Sequence, residues 1–271
     1  LQQHHLLFCL LHLAAEAHLA QQLQDIGLTA VGFETVETEN RQMPLLAPMS
    51  DIAGRLATQI GTNQLHQPQG GKGLLLGGVP GAERGRVMII GAGNAGGNAA
   101  EMAAAVGAEV VVFDLRRDRL AAMRRLGANV TGLYPYPDAI SSAVAEADLL
   151  IGAALHTGER APHIVSRDMV ASMAPGSVIV DVSVDQGGCV ETTRPTNYAA
   201  PTYIEEDVVH FAVTNMPGAV PRSASQALST VLLPFVQALT RPDWQNNPAL
   251  ARGINVAAGK LVHPALKESL A

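Results

Sequence analysis

A glycine-rich stretch between an apolar run and an alanine-rich run constrains the fold more than any other feature of the chain. Its sequence is Gly91-Ala-Gly93-Asn-Ala-Gly96. The apolar residues 87–90 predict a buried strand, and residues 94–106 predict a helix. In a strand–turn–helix unit the first glycine permits a tight turn, the second lets the backbone approach a pyrophosphate, and the third allows close helix–strand packing. The stretch therefore predicts a dinucleotide-binding unit.

The remainder of the chain continues this alternation of apolar runs and helix-like segments. Because the apolar runs are uninterrupted, they predict parallel strands that are buried on both faces. The sequence thus predicts an α/β fold with a doubly wound, parallel Rossmann-type sheet. The expected strands are residues 28–33, 87–90, 109–113, 129–133, 148–153, 177–182 and 208–213, and the expected helices are 17–25, 52–65, 94–106, 118–126, 138–147, 167–173 and 223–239.

Two segments allow a more specific local prediction. Ser50 and Asp51 are expected to form the N-cap and first turn of the helix over 52–65, since both are favoured at helix starts. Residues 67–80 are glycine-rich and read either as a flexible linker or, because of the apolar centre at residues 74–76, as packed structure.

Composition and charge exclude several classes of protein. Hydrophobic residues make up 48% of the chain and charged residues 15%, which excludes a disordered chain. The net charge of −6, with no run of Lys or Arg, argues against a general nucleic-acid binder. The sequence contains no uninterrupted run of about 18 apolar residues, so it predicts no membrane-spanning helix. The two cysteines have neither CxxC nor zinc-ligand spacing. So few cysteines in a chain of this length indicate a reducing compartment and free thiols.

An acidic residue ends the second predicted strand of the dinucleotide-binding unit. Asp114 follows Gly96 by 18 residues, where a carboxylate accepts hydrogen bonds from an adenine-ribose diol and repels a 2′-phosphate. This position favours NAD over NADP, although Arg116 and Arg117 follow closely and weaken the inference. The alternative is an ordinary βα turn with a surface aspartate.

Further candidate residues follow the later predicted strands, where ligands bind in open α/β sheets. Asp185 would face the nicotinamide side of the crevice, the alternative being a helix cap or turn residue. Asn215 and its neighbours would contact the carboxamide, the alternative being a plain strand exit. Cys189 reads as a nucleophile or, more simply, as a small buried filler. The histidines show no metal-ligand spacing, so no metal is expected.

Several strings together resemble the alanine dehydrogenase family, in the superfamily shared with the nicotinamide nucleotide transhydrogenase. The resemblance covers nearly the whole chain from about Leu7, and the Gln-Gly-Gly-x-Gly and Asp-Gln-Gly-Gly-Cys strings are its most specific parts. The strings that carry it are His12-Leu-Ala-Ala-Glu, Pro44-Leu-Leu-Ala-Pro-Met-Ser-Asp-Ile-Ala-Gly-Arg55, Gln69-Gly-Gly-Lys-Gly-Leu-Leu-Leu-Gly-Gly-Val-Pro-Gly81, the glycine stretch, Ala147-Asp-Leu-Leu-Ile-Gly-Ala153, Asp181-Val-Ser-Val-Asp-Gln-Gly-Gly-Cys189, and Asn215-Met-Pro-Gly-Ala-Val220 followed by Ala227-Leu.

The resemblance implies roles that the residues alone do not. His12, which by itself reads as a structural histidine, matches the catalytic histidine that polarises the substrate, and Asp185 matches the catalytic aspartate that orients water and relays protons. The remaining matches are expected to bind NAD. They are Ser50, Gly91, Gly93, Asn94, Ala95, Gly96, Asp114, Arg119, Ala154, Leu155, Val182, Ser183, Val184, Arg194, Val213, Thr214, Asn215 and Met216.

The implied reaction is the NAD-dependent, reversible conversion of L-alanine to pyruvate and ammonium. We expect an NAD-binding domain over residues 45–221 and the remainder of a substrate domain over 1–44 and 222–271. The resemblance further implies a cytoplasmic homohexamer without a membrane or nucleic-acid partner. Two alternatives are a non-catalytic NAD-binding remnant and the NAD-binding subunit of a transhydrogenase.

The start of the chain departs from the family pattern. Members of the family carry a segment before the equivalent of His12, with an arginine and a lysine that clamp the substrate carboxylate. The chain begins at Leu1 without an initiator methionine and reads as the inside of a domain rather than a signal peptide. The substrate lobe is therefore expected to be incomplete, and the chain as given is expected to bind NAD but to turn over alanine poorly.

Overall fold

A computed structural model describes residues 1–14, 16–154 and 162–270 of the chain. The described residues form two compact units. One comprises residues 1–49 and 218–270, and the other comprises 50–154 and 162–217. Each unit contains one β-sheet with helices packed on it, which gives the α/β class that the sequence predicts.

Strands and helices alternate through most of the chain. In chain order the strands are β1 (Leu6–Cys9), β2 (Thr29–Gly32), β3 (Arg86–Ile90), β4 (Glu109–Phe113), β5 (Val130–Leu133), β6 (Leu149–Gly152), β7 (Val178–Asp181), β8 (Thr202–Glu205), β9 (Val208–Phe211), β10 (Ile254–Ala257) and β11 (Lys260–Leu261). The helices are α1 (Ala17–Ile26), α2 (Ala47–Gln64), α3 (Asn94–Ala105), α4 (Arg117–Met123), α5 (Pro137–Glu146), α6 (Arg167–Ala171), α7 (Pro221–Leu239), α8 (Pro248–Arg252) and α9 (Pro264–Ser269).

The sheet of the second unit is doubly wound, as predicted. Its seven strands lie in the order β5-β4-β3-β6-β7-β9-β8. All neighbouring pairs are parallel except β8 with β9, which pair antiparallel at one edge. The chain adds β4 and β5 on one side of β3, then β6, β7 and β9 on the other. The order therefore reverses between β3 and β6, whose following connections run to opposite sides of the sheet, and such sheets bind ligands at this point.

The first unit contains a smaller mixed sheet with the order β1-β2-β10-β11. Strands β1 and β2 pair in parallel, whereas β10 pairs antiparallel with both β2 and β11. One side is covered by a core that includes Leu13, Leu23 and Leu28, which are almost completely buried. Among the described residues, no helix is both long enough and apolar enough to cross a membrane.

Helix α2 begins earlier than the sequence suggests, so the N-cap predicted at Ser50 and Asp51 is wrong. The helix begins at Ala47 and places both residues inside it. Pro48 is compatible with this start because the first amides of a helix have no intrahelical partner, so a missing N–H costs little there. Asp51 is thereby placed on the face of the helix that lines the cleft described below.

The glycine-rich segment 67–80 is packed rather than linker-like, as its apolar centre indicates. Leu76 is buried, and the Lys72 ammonium forms an ion pair with Asp148. A Cβ at Gly71 would lie 2.1 Å from the carbonyl oxygen of Gln64, and one at Gly77 would lie 2.1 Å from that of Val106. The glycines therefore allow close backbone contacts that side chains would prevent.

A buried histidine lies in β9 of the second unit. The His210 ring is within hydrogen-bond distance of the Val208 carbonyl oxygen at Nδ1 (2.9 Å) and of the Thr192 hydroxyl at Nε2 (2.8 Å). The ring stacks on Tyr203, with 4.9 Å between the centroids. Burial lowers the pKa of His210 below its usual 6.5, and the hydrogen bond with the Val208 carbonyl oxygen and the charge of Glu205 offset part of that fall. The folded protein therefore favours the neutral ring more than the unfolded chain does.

The neutral ring predicts that acid destabilises the protein. The unfolded chain takes up a proton on His210 below about pH 6.5 while the folded state resists it, so the free energy of unfolding falls as the pH drops below that value. In thermal denaturation between pH 8 and pH 5, we expect His210→Gln to flatten the pH dependence of Tm. The pKa of His263 is also lowered by burial, so part of the slope should persist. His66→Gln, at an exposed position, is the control. An unchanged slope in His210→Gln would contradict this assignment.

Candidate functional site

The predicted glycine turn joins β3 to α3 at the point where the strand order reverses. Gly91 has a φ of +94°, which favours glycine, and a Cβ there would lie 2.5 Å from the Ala153 carbonyl oxygen. A Cβ at Gly96 would lie 1.7 Å from the Gly91 carbonyl oxygen, so α3 can begin directly against the strand end only without a side chain. Gly93 differs from both, because the nearest atom to its Cβ would be Arg119 Nη1 at 3.7 Å. The turn is therefore tightly packed at Gly91 and Gly96 but leaves open space beside Gly93.

A cleft of about 370 Å³ opens above this turn. Its lining comes from α2, the glycine turn, α3, α4 and the residues after α4, and comprises Asp51, Ala92, Gly93, Asn94, Gly97, Asn98, Glu101, Arg119 and Leu126. The first turn of α3 presents free backbone amides and the positive end of the helix dipole, which suit an anion. Arg119 adds a cationic side chain. The donors and the open space over Gly93 therefore fit the pyrophosphate of a dinucleotide.

The acidic side chains on this cleft belong to a hydrogen-bonded network between α2 and α3. Asn98 donates to Asp51 Oδ1 (3.0 Å), and Arg55 donates to Asn98 Oδ1 (2.9 Å) and Glu101 Oε2 (2.6 Å). Burial raises the pKa of Asp51, while hydrogen bonds from Asn94 and Asn98 lower it in part. Arg55 thus offsets the negative charge beside the turn.

Asp114, at the end of β4, is buried and supports the glycine turn directly. Its Oδ2 accepts a hydrogen bond from the Ala92 amide (2.7 Å), and its Oδ1 accepts one from the Arg116 amide (2.7 Å). Arg119 Nη1 lies 3.4 Å from Oδ2. The Arg116 guanidinium turns away to pair with Asp118, with 2.6 Å between Nη2 and Oδ2. A carboxylate oxygen has two lone pairs, so Asp114 retains acceptor capacity for a ribose diol.

A second group of predicted residues gathers where β6, β7 and β9 end. Asp185 lies in the 3₁₀ turn Val182–Gln186 that follows β7, and its Oδ1 accepts a hydrogen bond from the Asn215 amide (3.2 Å). The Ser183 hydroxyl donates to the Ala154 carbonyl oxygen (2.7 Å). Asn215 has a positive φ of 54°, which turns the chain beyond β9. The turn after β7 thus contacts the end of β6 through Ser183 and the segment after β9 through Asp185.

The other predicted contacts are distributed around these two groups. Val184, Val213 and Met216 are buried, whereas Thr214 is exposed. The guanidinium of Arg194 lies 3.9 Å from the centre of the Tyr203 ring, and Arg194 is not one of the residues that line the cleft. Leu155 lies outside the described residues. Cys189 is completely buried, and burial raises the pKa of its thiol well above its usual value, which fits the filler interpretation rather than a nucleophile.

His12 lies in the first unit, just beyond β1, and an unpredicted residue holds its backbone. His12 has a positive φ of 49°. Glu34 Oε1 accepts a hydrogen bond from the His12 amide (2.7 Å), and both carboxylate oxygens lie within 3.3 Å of the Leu11 amide. Because β1 and β2 run in parallel, Glu34, which follows β2, reaches the end of β1. The available signal was an acidic residue immediately after a buried strand.

Family models and individual proteins of known name match this chain. The family model described as alanine dehydrogenase/PNT, N-terminal domain, matches residues 1–53, and the one described as alanine dehydrogenase/PNT, C-terminal domain, matches residues 57–264. The chain belongs to the alanine dehydrogenase/PNT family. This confirms the resemblance that the sequence strings indicate, and it implies a nicotinamide nucleotide as cofactor and a small-molecule substrate.

Individual proteins are similar to this chain in sequence or in fold. The alanine dehydrogenase of Bacillus subtilis is 50% identical over 97% of this chain and 71% of its own length. A solved structure titled L-alanine dehydrogenase is 52% identical, with a TM-score of 0.90 over 99% of this chain and 76% of that one. A transhydrogenase structure from Sinorhizobium meliloti is 22% identical, with a TM-score of 0.79 over 97% of this chain and 75% of that one, and shares the fold.

Proposed function

We propose that the chain is an NAD-dependent L-alanine dehydrogenase, which converts L-alanine, NAD and water to pyruvate, ammonium, NADH and a proton and catalyses the reverse reaction. The observation that carries the proposal is its 50% identity, along 97% of the chain, to a protein of that name. The transhydrogenase, at 22% identity, supports the fold alone. The open glycine turn supports the proposal, because it would give the reaction a nucleotide site.

The cofactor is proposed to lie across the two groups of residues in the second unit. Backbone amides at Gly93 and Asn94, with Arg119, would bind the pyrophosphate, and Asp114 would bind the adenine ribose. The ends of β6, β7 and β9 would hold the nicotinamide half, through Ala154, Val182–Val184 and Asn215. When bound, NAD supplies the hydride acceptor, so the protein provides orientation and proton transfer.

Asp114 predicts a preference for NAD over NADP. Its carboxylate would accept hydrogen bonds from the 2′- and 3′-hydroxyl groups, whereas a 2′-phosphate would meet a buried negative charge. Arg116, which could attract that phosphate, is paired with Asp118. In fluorescence titrations of both cofactors, we expect tighter binding of NAD, and we expect Asp114→Asn to reduce the preference by about tenfold, or about 1.4 kcal/mol.

Asp138→Asn is the matched control for this titration, because Asp138 is an exposed carboxylate in the first turn of α5. Its cofactor preference should equal that of the unmodified protein. Equal affinity for the two cofactors in the unmodified protein, or tighter binding of NADP, would contradict the role given to Asp114.

The proton-transfer roles are assigned to two side chains. His12 would donate a hydrogen bond to the carbonyl oxygen of pyruvate, or contact the corresponding nitrogen-bearing position of alanine, and so polarise the carbon that exchanges the hydride. Asp185 would accept a proton from the water that attacks this carbon and return it when ammonium leaves. The half-buried setting of Asp185, with one oxygen bound by the Asn215 amide, orients its carboxylate for this role.

The experiment that tests the proposal is alanine-dependent NADH formation, followed by absorbance. The reverse assay, which consumes NADH with pyruvate and ammonium, checks the same chemistry. The homohexameric state and the cytoplasmic location implied by the resemblance stay predictions, as does the extent of the NAD-binding domain over 45–221. Sedimentation velocity tests the first and cell fractionation the second.

A further inference from the structure

A completely buried carboxylate ends β7, four residues before Asp185. Asp181 has no exposed surface and lies among hydrogen-bond donors that all come from the segment 183–193. Its Oδ1 accepts from the Ser183 amide (2.9 Å). Its Oδ2 accepts from the amides of Cys189 (2.9 Å) and Val190 (3.2 Å) and from the Thr193 hydroxyl (2.8 Å). The Cys189 thiol lies 3.7 Å from Oδ1.

Because donors contact both carboxylate oxygens of Asp181, both oxygens must act as hydrogen-bond acceptors. An ionised carboxylate only accepts hydrogen bonds, so it can satisfy every one of these donors, whereas an asparagine would turn an NH₂ group towards N–H or S–H groups. Hydrogen bonds to a charged acceptor are the stronger kind. Burial raises the pKa of Asp181, and the hydrogen bonds from Thr193 and the three amides offset part of that rise.

Two glycines create the space for this carboxylate. A Cβ at Gly188 would lie 2.8 Å from Asp181 Oδ2, and one at Gly152 would lie 2.9 Å from Oδ1 and 2.5 Å from Cys189 Sγ. Gly188 also has a φ of +79°, which favours glycine. The Gly-Cys pair of the Asp-Gln-Gly-Gly-Cys string is therefore explained by packing around Asp181.

The bonds to Asp181 close a loop that has Asp185 at its tip. The Ser183 amide is bound at the start of the loop, and the Cys189 and Val190 amides are bound at its end. Between them, the 3₁₀ turn Val182–Gln186 presents Asp185 to the Asn215 amide. A change at Asp181 would therefore move both ends of the loop and displace the Asp185 carboxylate.

We propose that Asp181 is a positioning residue for the proposed reaction, which holds the loop 182–193 so that the Asp185 carboxylate keeps its place beside Asn215. This inference rests on the proposed function. Asp181 lies beneath the loop, fully buried, and acts through Asp185 rather than on the substrate. A misplacement of about 1 Å at a reacting group can cost up to about a hundredfold in rate, so the effect on kcat should be measurable.

We call the hydrogen bonds from segment 183–193 to Asp181 the clamp. The test removes one of its donors rather than Asp181 itself, because Asp181→Asn alone could unfold the lobe. Thr193→Val removes the hydroxyl donor at nearly constant volume, and Thr193→Ser keeps it. We expect Thr193→Val to lower kcat about tenfold with NAD affinity changed less than threefold, and Thr193→Ser to retain kcat within twofold. Thr58→Val is the matched control, since it removes a buried threonine hydroxyl that donates to the Ala99 carbonyl oxygen. It should lower Tm and leave kcat unchanged.

A double-mutant cycle separates positioning from general destabilisation. If Asp181 acts through Asp185, Thr193→Val should add no further loss of kcat once Asp185 is replaced by asparagine. An additive loss in the double variant would overturn the inference. So would an unchanged kcat in Thr193→Val, or a folded Asp181→Asn variant that keeps kcat within twofold.

Hydrogen exchange gives a readout that does not depend on turnover. Peptides covering residues 182–193 should exchange faster in Thr193→Val than in the unmodified protein or in Thr58→Val. Unchanged exchange in Thr193→Val would overturn the clamp itself. Faster exchange in a protein without alanine-dependent NADH formation would support the clamp while contradicting the proposed function, so the two failures are distinguishable.

Discussion

Replacing Gly93 with valine is expected to abolish NAD binding while leaving the protein folded. Gly93 has φ −76° and ψ −161°, an extended conformation that any residue adopts. The nearest atom to an added Cβ would be Arg119 Nη1 at 3.7 Å, so the fold has room for it. The side chain would instead occupy the space where a pyrophosphate must approach the backbone. We expect affinity for NAD to fall about a hundredfold or more, about 2.7 kcal/mol, in calorimetric titration.

Gly96→Ala is the contrasting variant in the same turn. Its Cβ would lie 1.7 Å from the Gly91 carbonyl oxygen, so α3 would have to move away from β3. Here we expect a marked loss of Tm, since forcing volume into a packed site costs roughly 1–3 kcal/mol or more. If Gly93→Val binds NAD normally, the turn does not bind the phosphates. If Gly93→Val instead lowers Tm as much as Gly96→Ala does, its effect on binding is only structural.

The second large effect is expected at the two proposed proton-transfer residues. Asp185→Asn keeps the size of the side chain and an oxygen for the Asn215 amide but cannot carry a proton. His12→Asn removes the imidazole while tolerating the positive φ of 49°. Positioned acids and bases contribute about 10²- to 10⁴-fold to rates, so we expect kcat to fall by about that factor in each variant while NAD still binds.

His18→Asn is the control for this pair, because His18 is exposed on α1. Steady-state kinetics of the NADH-dependent reductive amination of pyruvate, together with NAD titration, separate catalysis from binding in each variant. A variant at His12 or Asp185 that retains kcat within threefold would remove that residue from the mechanism. A variant that loses NAD binding and kcat together would assign the residue to the cofactor instead.

The sequence predicts the second unit well because its signals are local. The buried strands β3, β4, β6 and β7 are uninterrupted apolar runs, and each ends within two residues of its expected end. Strand β8 was not predicted, because the run Thr202–Glu205 is short and mixed in polarity and pairs only at the sheet edge. The mixed sheet of the first unit was missed as well, because β10 joins β2 from more than 200 residues away.

The residues of the candidate site also divide into those that the local sequence predicts and those that only the folded chain shows. The glycine turn and Asp114 are predictable, since their roles follow from a strand–turn–helix order over about 30 residues. The resemblance marks His12 and Asp185, whose roles composition and spacing leave open. Glu34 and Asp181 escape both routes. Each binds backbone amides of a segment that follows a strand, and only the folded chain shows which amides lie within reach.

The most direct test of the account is alanine-dependent reduction of NAD. The assay compares the unmodified chain with its Asp185→Asn variant, each with and without L-alanine. The account predicts NADH formation that requires L-alanine, prefers NAD to NADP and disappears with Asp185→Asn. Intact NAD binding without alanine-dependent NADH formation in the unmodified chain would contradict it.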